Sequence, residues 1–147
     1  MTIFSNFNQA FKIALQQSWT KAYARIVAFV LLYGGFAHVG NIAGWTGTPW
    51  LETPLLWQFM DVVLLIFDVG TAIALWFGVA WSVWLLFGGI FCLQILPYTV
   101  WRSQFISKPE DGAVLNQLIG TELIILSIFC ILLVLPKDQE EEQVAEE

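Results

Sequence analysis

Apolar residues run in four long stretches along this chain, and each stretch has the length of a membrane-spanning helix. An α-helix needs about 20 mostly apolar residues to cross a hydrocarbon core about 30 Å thick. The stretches are bounded by charges, glycines or prolines and cover roughly residues 23–42, 55–77, 80–101 and 115–135. Because lipid offers no hydrogen bonds to an open backbone, this pattern predicts an all-α, strand-free integral membrane four-helix bundle.

The first 22 residues follow a different pattern, in which apolar side chains recur at helical spacing and Asn8, Lys12 and Gln16 lie opposite them. This stripe predicts an amphipathic helix lying in the headgroup layer, with a simple extension of the first span as the alternative. The chain therefore divides into an N-terminal amphipathic interfacial helix (1–22), a four-helix bundle (23–136) and an acidic tail (137–147) that we expect to be disordered and solvated.

Composition agrees with the membrane assignment, since 58% of the residues are hydrophobic and only 12% are charged. An ordinary water-soluble domain is therefore excluded. The net charge of −6 comes largely from the tail between Asp138 and Glu147. The six basic residues are scattered, so no patch exists that would neutralise the phosphates of a nucleic-acid partner.

The same basic residues predict how the chain is oriented, because cytoplasmic loops carry an excess of lysine and arginine. Four lie on the side of the termini and two lie opposite, namely Lys12, Lys21, Arg25 and Lys137 against Arg102 and Lys108. Both termini are therefore predicted to be cytoplasmic. The hydropathy fits a bacterial inner membrane or a thylakoid equally well.

Three acids lie within the predicted spans, and burying a charge there costs several kcal/mol, so Asp61, Asp68 and Glu122 are the first functional candidates. Asp61 and Asp68 are two helical turns apart on one face of the second span. Counting residues from the outer span ends places Asp61 and Glu122 in the outer half of the membrane together with His38, Asn41 and Gln94, whereas Asp68 lies deeper. If the faces converge, these six residues form a buried polar cluster in which His38 or Arg102 pairs with a carboxylate.

Two interpretations of this cluster stay open. The carboxylates could relay protons, or the polar groups could simply hydrogen-bond between helices and fix the packing. Arg25 is interpreted as an interfacial anchor that reaches the inner headgroups, with a contact to Asp68 as the alternative. A single histidine excludes paired haem ligation and a two-histidine metal site, and no known catalytic motif is present. No catalytic residue or metal ligand is assigned, and a non-enzymatic protein is favoured.

The pattern formed by some of these residues resembles that of a known family. An arginine opening the first span (Arg25), a GG-x-x-H stretch (Gly34, Gly35 and His38) and acids in the next helix are similar to the small four-helix DoxX-like membrane proteins. The similarity covers roughly residues 24–135, and the chain departs from it in the tryptophan-rich loop at 45–57. Members of that family serve as small subunits of quinone-linked oxidoreductases or as partners in redox-related complexes, so the resemblance implies a bundle more firmly than an activity.

Three functions are consistent with the sequence. We favour a non-catalytic accessory or assembly subunit of a larger, redox-linked membrane complex. The alternatives are a quinone- or lipid-binding DoxX-like oxidoreductase component that uses His38, and a small proton-coupled transporter that uses Asp68 and Glu122. The expected partners are membrane lipids and either other membrane proteins or further copies of the chain. The cofactor is left open, with a quinone as the candidate.

Overall fold

The computed structural model describes residues 3–47 and 49–134, and the helices in these ranges confirm the all-α prediction. They are α1 (Ile3–Gln16), α2 (Ser18–Ile42), α3 (Leu55–Trp76), α4 (Trp81–Val100), α5 (Arg102–Phe105) and α6 (Asp111–Val134). Within the described ranges there is no β-strand. Helices α2, α3, α4 and α6 are long and apolar enough to cross a membrane. The predicted acidic tail lies outside the described residues.

The N-terminal helix and the first span meet at a different residue from the one predicted. Gln17 has an extended backbone (φ −65°, ψ 139°), which ends α1 and lets α2 begin at Ser18 rather than at Tyr23. Lys21 and Arg25 therefore belong to the first two turns of the spanning helix. Hydropathy alone places this boundary too late because the polar first turns of α2 do not resemble a membrane span.

Two glycines end the first two spans in the same way. Gly44 (φ 74°) and Gly78 (φ 66°) adopt the left-handed conformation that closes a helix without a steric penalty. After each glycine, the next amide reaches back to a helical carbonyl, Trp45 to Gly40 and Val79 to Ala74. The turn at Gly78 is short, so α3 and α4 are antiparallel neighbours.

The closest helix pair is α2 with α3, and small residues on α2 make that approach possible. A Cβ on Gly35 would lie 3.2 Å from Val69 Cγ2, and one on Gly34 would lie 2.6 Å from Asp68 Oδ2. The two backbones can therefore come together only because these positions have no side chain. This contact sets the distance across which polar groups on α2 and α3 meet.

Helix α4 contains a wide turn in its outer half. Residues Ile90–Ile95 form a π-helical segment just before Pro97. Proline has no N–H to donate and its ring crowds the carbonyl four residues earlier, so a wider turn relieves the clash that a regular α-helix would have there. The helix continues to Val100 instead of ending at the proline.

Helix α6 runs antiparallel to α2 and is held by a few specific contacts. The Tyr23 hydroxyl donates to the Ile125 carbonyl at 3.0 Å, and Thr20 reaches the Leu132 carbonyl at 3.5 Å. Phe129 is fully buried between the rings of Tyr23 and Phe87. The C-terminal end of α6 therefore lies beside the N-terminal end of α2.

The apolar face of α1 packs onto this same end of the bundle. Ala14 and Leu15 are buried, and the Phe11 ring stands edge-on to Trp84 with centroids 5.4 Å apart. Asn8 accepts a hydrogen bond from the Trp84 indole at 3.1 Å. Helix α1 is thus a separate helix attached to the bundle, and its predicted role as an amphipathic helix in the headgroup layer stays a prediction.

Candidate functional site

Asp61 lies at the centre of a hydrogen-bonded cluster between α2, α3 and the loop that joins them. Its carboxylate is buried, and three side chains reach it. His38 Nδ1 lies 2.8 Å from Oδ1, Asn41 Nδ2 donates to the same oxygen at 3.0 Å, and the Trp50 indole donates to Oδ2 at 3.1 Å. Both oxygens therefore have partners, which compensates part of the cost of burying this acid.

His38 connects Asp61 to the second buried acid. Its Nδ1 faces Asp61, and its Nε2 lies 3.9 Å from Asp68 Oδ2. The two aspartates are two turns apart on α3, so an imidazole from α2 spans the gap between them. One ring thus presents a nitrogen to each carboxylate.

Asp68 lies against the backbone of α2. Gly34 has no side chain, and the Asp68 carboxylate occupies the space beside the position where a Cβ would lie. Gly34 and His38 are one turn apart, so both lie on the face of α2 that meets this acid. The GG-x-x-H stretch therefore has a geometric meaning here, since the glycines admit α3 and the histidine contacts its acids.

Glu122 of α6 lies in the same region, but its carboxyl group differs from that of Asp61 in its hydrogen bonding. It is buried, yet neither carboxyl oxygen has a hydrogen-bond partner among the described residues. Asp68 is close enough to act on it electrostatically. The buried Tyr98 of α4 is in turn within electrostatic range of Glu122, Asp68 and Asp61. All four long helices thus contribute a polar residue to one neighbourhood.

The charge balance of this neighbourhood is unusual for a membrane interior. Three buried carboxyl groups share it, and within residues 3–47 and 49–134 the one basic side chain in ion-pair contact with them is His38. Full ionisation would leave an uncompensated negative charge in a low dielectric, at a cost of several kcal/mol per ion. This excess of buried acids over bases makes the neighbourhood the leading candidate for a functional site.

The structure does not bring the remaining predicted residues into this cluster. Gln94 is half-buried in the π-helical segment and makes no side-chain hydrogen bond to Asp61, Asp68 or Glu122 in the part described. Arg102 donates to the Gly112 carbonyl at 2.8 Å and to Asn116 at 2.9 Å rather than to a carboxylate. Arg25 lies over the Trp76 ring, 5.3 Å from its centroid, and makes no ion pair with Asp68 in the described structure.

Two members of the site were not identified from the sequence. The sequence pattern places neither Trp50 nor Tyr98 in the predicted cluster. Trp50 lies in a short 3₁₀ turn (Trp50–Glu52) that folds back over the bundle. Its indole N–H is a hydrogen-bond donor that needs an acceptor. A loop tryptophan close to a span that carries an acid is therefore the sequence feature that could have identified Trp50.

Two buried hydroxyls extend the polar groups toward the end of the bundle where α3 ends and α4 begins. Thr71 lies one turn beyond Asp68 on α3, and Ser82 lies near the start of α4. Both are completely buried, and neither hydroxyl has a hydrogen-bond partner among the described residues. Buried polar groups are normally paired, so these two hydroxyls are further candidate members of the site.

A quinone would need an apolar slot that opens onto a polar group of the cluster. The apolar cleft between α3 and the outer half of α4 has a volume of about 340 Å³. Met60, Cys92, Pro97 and Phe105 contribute to its walls, but His38 and the three acids do not. The described residues also contain no group of three His, Cys, Asp or Glu side chains that could hold a metal ion.

A comparison with known proteins finds no family model, no curated protein and no solved structure that matches the chain. The resemblance to DoxX-like proteins therefore stays a prediction from the sequence. The fold and site themselves define a small all-α membrane protein with a carboxyl-rich core.

Proposed function

We propose that this protein is a small proton-coupled membrane protein, in which a chain of buried acids and one histidine carries protons through the bundle. The observation that carries the proposal is the position of His38 between Asp61 and Asp68. A ring that presents one nitrogen to each of two carboxyl groups is a suitable proton relay, because imidazole both accepts and donates protons near neutral pH.

Asp61 has the role of orienting the histidine. When His38 donates its Nδ1 proton to Asp61, the Nε2 atom carries a lone pair and faces Asp68. Asn41 and Trp50 hold the Asp61 carboxylate in place from the other side. The ring can then take a proton from Asp68 at Nε2 and release its Nδ1 proton to Asp61.

Asp68 and Glu122 continue the route into the centre of the bundle. Glu122 has no hydrogen-bond partner in the described structure, so a neutral carboxylic acid costs less there than a carboxylate. Two neighbouring acids raise each other's affinity for a proton, so the pair holds one proton, which moves between them at a small cost when the two affinities are similar. The hydroxyls of Thr71 and Ser82 supply further steps toward the inner side.

A second candidate function is the accessory subunit of a larger membrane complex. It is favoured by the exposure of α6. Only 11% of the most apolar 18-residue stretch of α6 is buried within the bundle, against 44% for α3. A helix with so much exposed surface can contact a partner as well as lipid. In this case the buried acids would supply protons to a redox partner instead of coupling to a transported substrate.

The test is proton flux into liposomes that contain the purified full chain and a pH-sensitive dye. We expect flux above that of empty liposomes, and we expect Asp68→Asn and His38→Gln each to lower it at least tenfold. Glu52→Gln is the matched control, because Glu52 is an exposed acid in the outer loop and should leave the flux unchanged.

The outcomes separate the two candidates. Undiminished flux in Asp68→Asn would reject the assigned route, and an equal loss in Glu52→Gln would show a surface effect instead of a buried relay. A wild-type protein that carries no protons by itself would overturn the proton proposal and leave the accessory-subunit function.

A further inference from the structure

A second polar site lies at the opposite end of the bundle from Asp61. The cleft is formed by α1, the start of α2 and the end of α3, and it has a volume of about 560 Å³. This is within the range of small-molecule sites, roughly 300–1,000 Å³. Its walls include Lys12 and Gln16 from α1, Lys21 and Arg25 from α2, and Trp76 from α3.

The charge of the cleft is strongly one-sided. Three basic side chains converge on it, and none of the described residues that line it is acidic. Lys21 and Arg25 are one turn apart on α2, while Lys12 faces them from α1. The Arg25 guanidinium is held over the Trp76 ring, which fixes its position and leaves its N–H groups free to donate.

The surroundings of the cleft are those of a membrane interface. Trp76 and Phe77, which contribute to its walls, are exposed, and so is Trp19 in the first turn of α2. Tryptophan and basic residues at the end of a spanning helix lie at the level of the lipid headgroups. A ligand in the cleft therefore has its charged part among the cations and its apolar part along α2 and α3.

We infer that this cleft binds the headgroup of an anionic phospholipid, with Lys12, Lys21 and Arg25 contacting the phosphate. Basic pockets between helices at a membrane surface recognise such headgroups by charge, and arginine adds paired donors that match phosphate oxygens. The amphipathic helix α1 supplies one of the cations, so lipid binding would also hold α1 against the bundle. This inference is independent of the proton route.

The experiment is native mass spectrometry of the full chain in mild detergent, titrated with phosphatidylglycerol or with phosphatidylcholine of identical acyl chains. We expect a clear preference of the wild-type protein for phosphatidylglycerol. The double variant Lys12→Gln/Lys21→Gln should bind phosphatidylglycerol roughly thirtyfold more weakly, since each basic side chain at an anionic surface contributes roughly fivefold. Both lysines are exposed, so the variant should fold normally.

Lys108→Gln is the matched control, because Lys108 is exposed at the other end of the bundle and should change the affinity less than twofold. Equal binding of the two lipids, or an equal loss in Lys108→Gln, would overturn the inference. Inorganic phosphate added in competition tests the source of the phosphate group. If free phosphate displaces the lipid completely, the site recognises a soluble anion and the lipid assignment is wrong.

Discussion

Single residues in this bundle affect its stability very differently, although a hydropathy scale gives them similar values. Asp61 and Glu122 are equally buried acids, but Asp61 has three side-chain partners and Glu122 has none in the described structure. A satisfied buried acid contributes to stability through its donors, whereas an unsatisfied one lowers stability. In the proposed route, Asp61 therefore positions His38 as well as exchanging a proton with it, and Glu122 binds a proton.

Replacing Asp61 by alanine tests this positioning role. The substitution leaves the half-buried Asn41 amide and Trp50 indole without their acceptor, and an unpaired donor costs up to about 1–3 kcal/mol when it is fully buried. We expect the free energy of unfolding in detergent to fall by roughly 2–4 kcal/mol, since the His38 contact is also lost. Glu52→Ala, at an exposed acid, should change it by less than about 0.5 kcal/mol. Equal effects of the two substitutions would contradict the assigned network.

Among the elements, α3 is the central helix of the fold. It has the largest buried fraction of the four spans, and it carries both buried aspartates and Thr71 on the side that meets its neighbours. Helix α2 approaches it through Gly34 and Gly35, and α4 approaches it where Gly89 receives the ring of Phe67. The polar residues of α3 are thus held in place by close helix contacts on two sides.

Two adjacent glycines of α4 offer a matched test of this packing. A Cβ on Gly89 would collide with the Phe67 ring, which is buried, whereas a Cβ on Gly88 would meet nothing within 4 Å. We expect Gly89→Ala to lower the free energy of unfolding by about 1–3 kcal/mol through overpacking. Gly88→Ala should be neutral or stabilising by up to about 1 kcal/mol, because alanine favours a helix.

Thermal unfolding of the two glycine variants in the same detergent gives the comparison. A Gly88→Ala protein that is as unstable as Gly89→Ala would show that neither effect comes from Phe67. Equal stability of Gly89→Ala and the wild-type protein would show that α4 can move away from α3 at no cost.

At the scale of the whole molecule, four antiparallel spans place the start of the first span and the end of the last span at the same end of the bundle. The N-terminal part of α2 lies beside the C-terminal part of α6, as the contacts of Tyr23 and Thr20 require. The basic cleft is at this end, and the Asp61 cluster is toward the other. The two sites that we propose therefore face opposite surfaces of the membrane.

The prediction that both termini are cytoplasmic can be checked with reporter fusions in a bacterial host. Green fluorescent protein fused after residue 147 should fluoresce, and alkaline phosphatase at the same point should be inactive. The first reporter matures on the cytoplasmic side of the membrane and the second on the opposite side. A phosphatase fusion in the loop between α2 and α3, after residue 47, should be active. The opposite result at both positions would invert the topology and move the basic cleft to the outer side.

The sequence by itself determined the helical class, the four spans and the identity of the buried acids. These features are local: a run of apolar residues needs a membrane whatever it packs against, and Gly44 and Gly78 end helices through their own backbone conformation. The boundary at Gln17 was missed because it depends on how α1 turns back onto the bundle rather than on hydropathy.

Only the tertiary structure decided which polar groups meet. Hydropathy fixes the depth of a residue but not the rotation of its helix, which depends on packing between helices. His38 reaches both aspartates because two glycines let α2 approach α3, and Trp50 joins them because its loop folds back over the bundle. Gln94 does not reach the acids. It lies in a wide π-helical turn, and counting at 3.6 residues per turn does not predict which way such a residue faces.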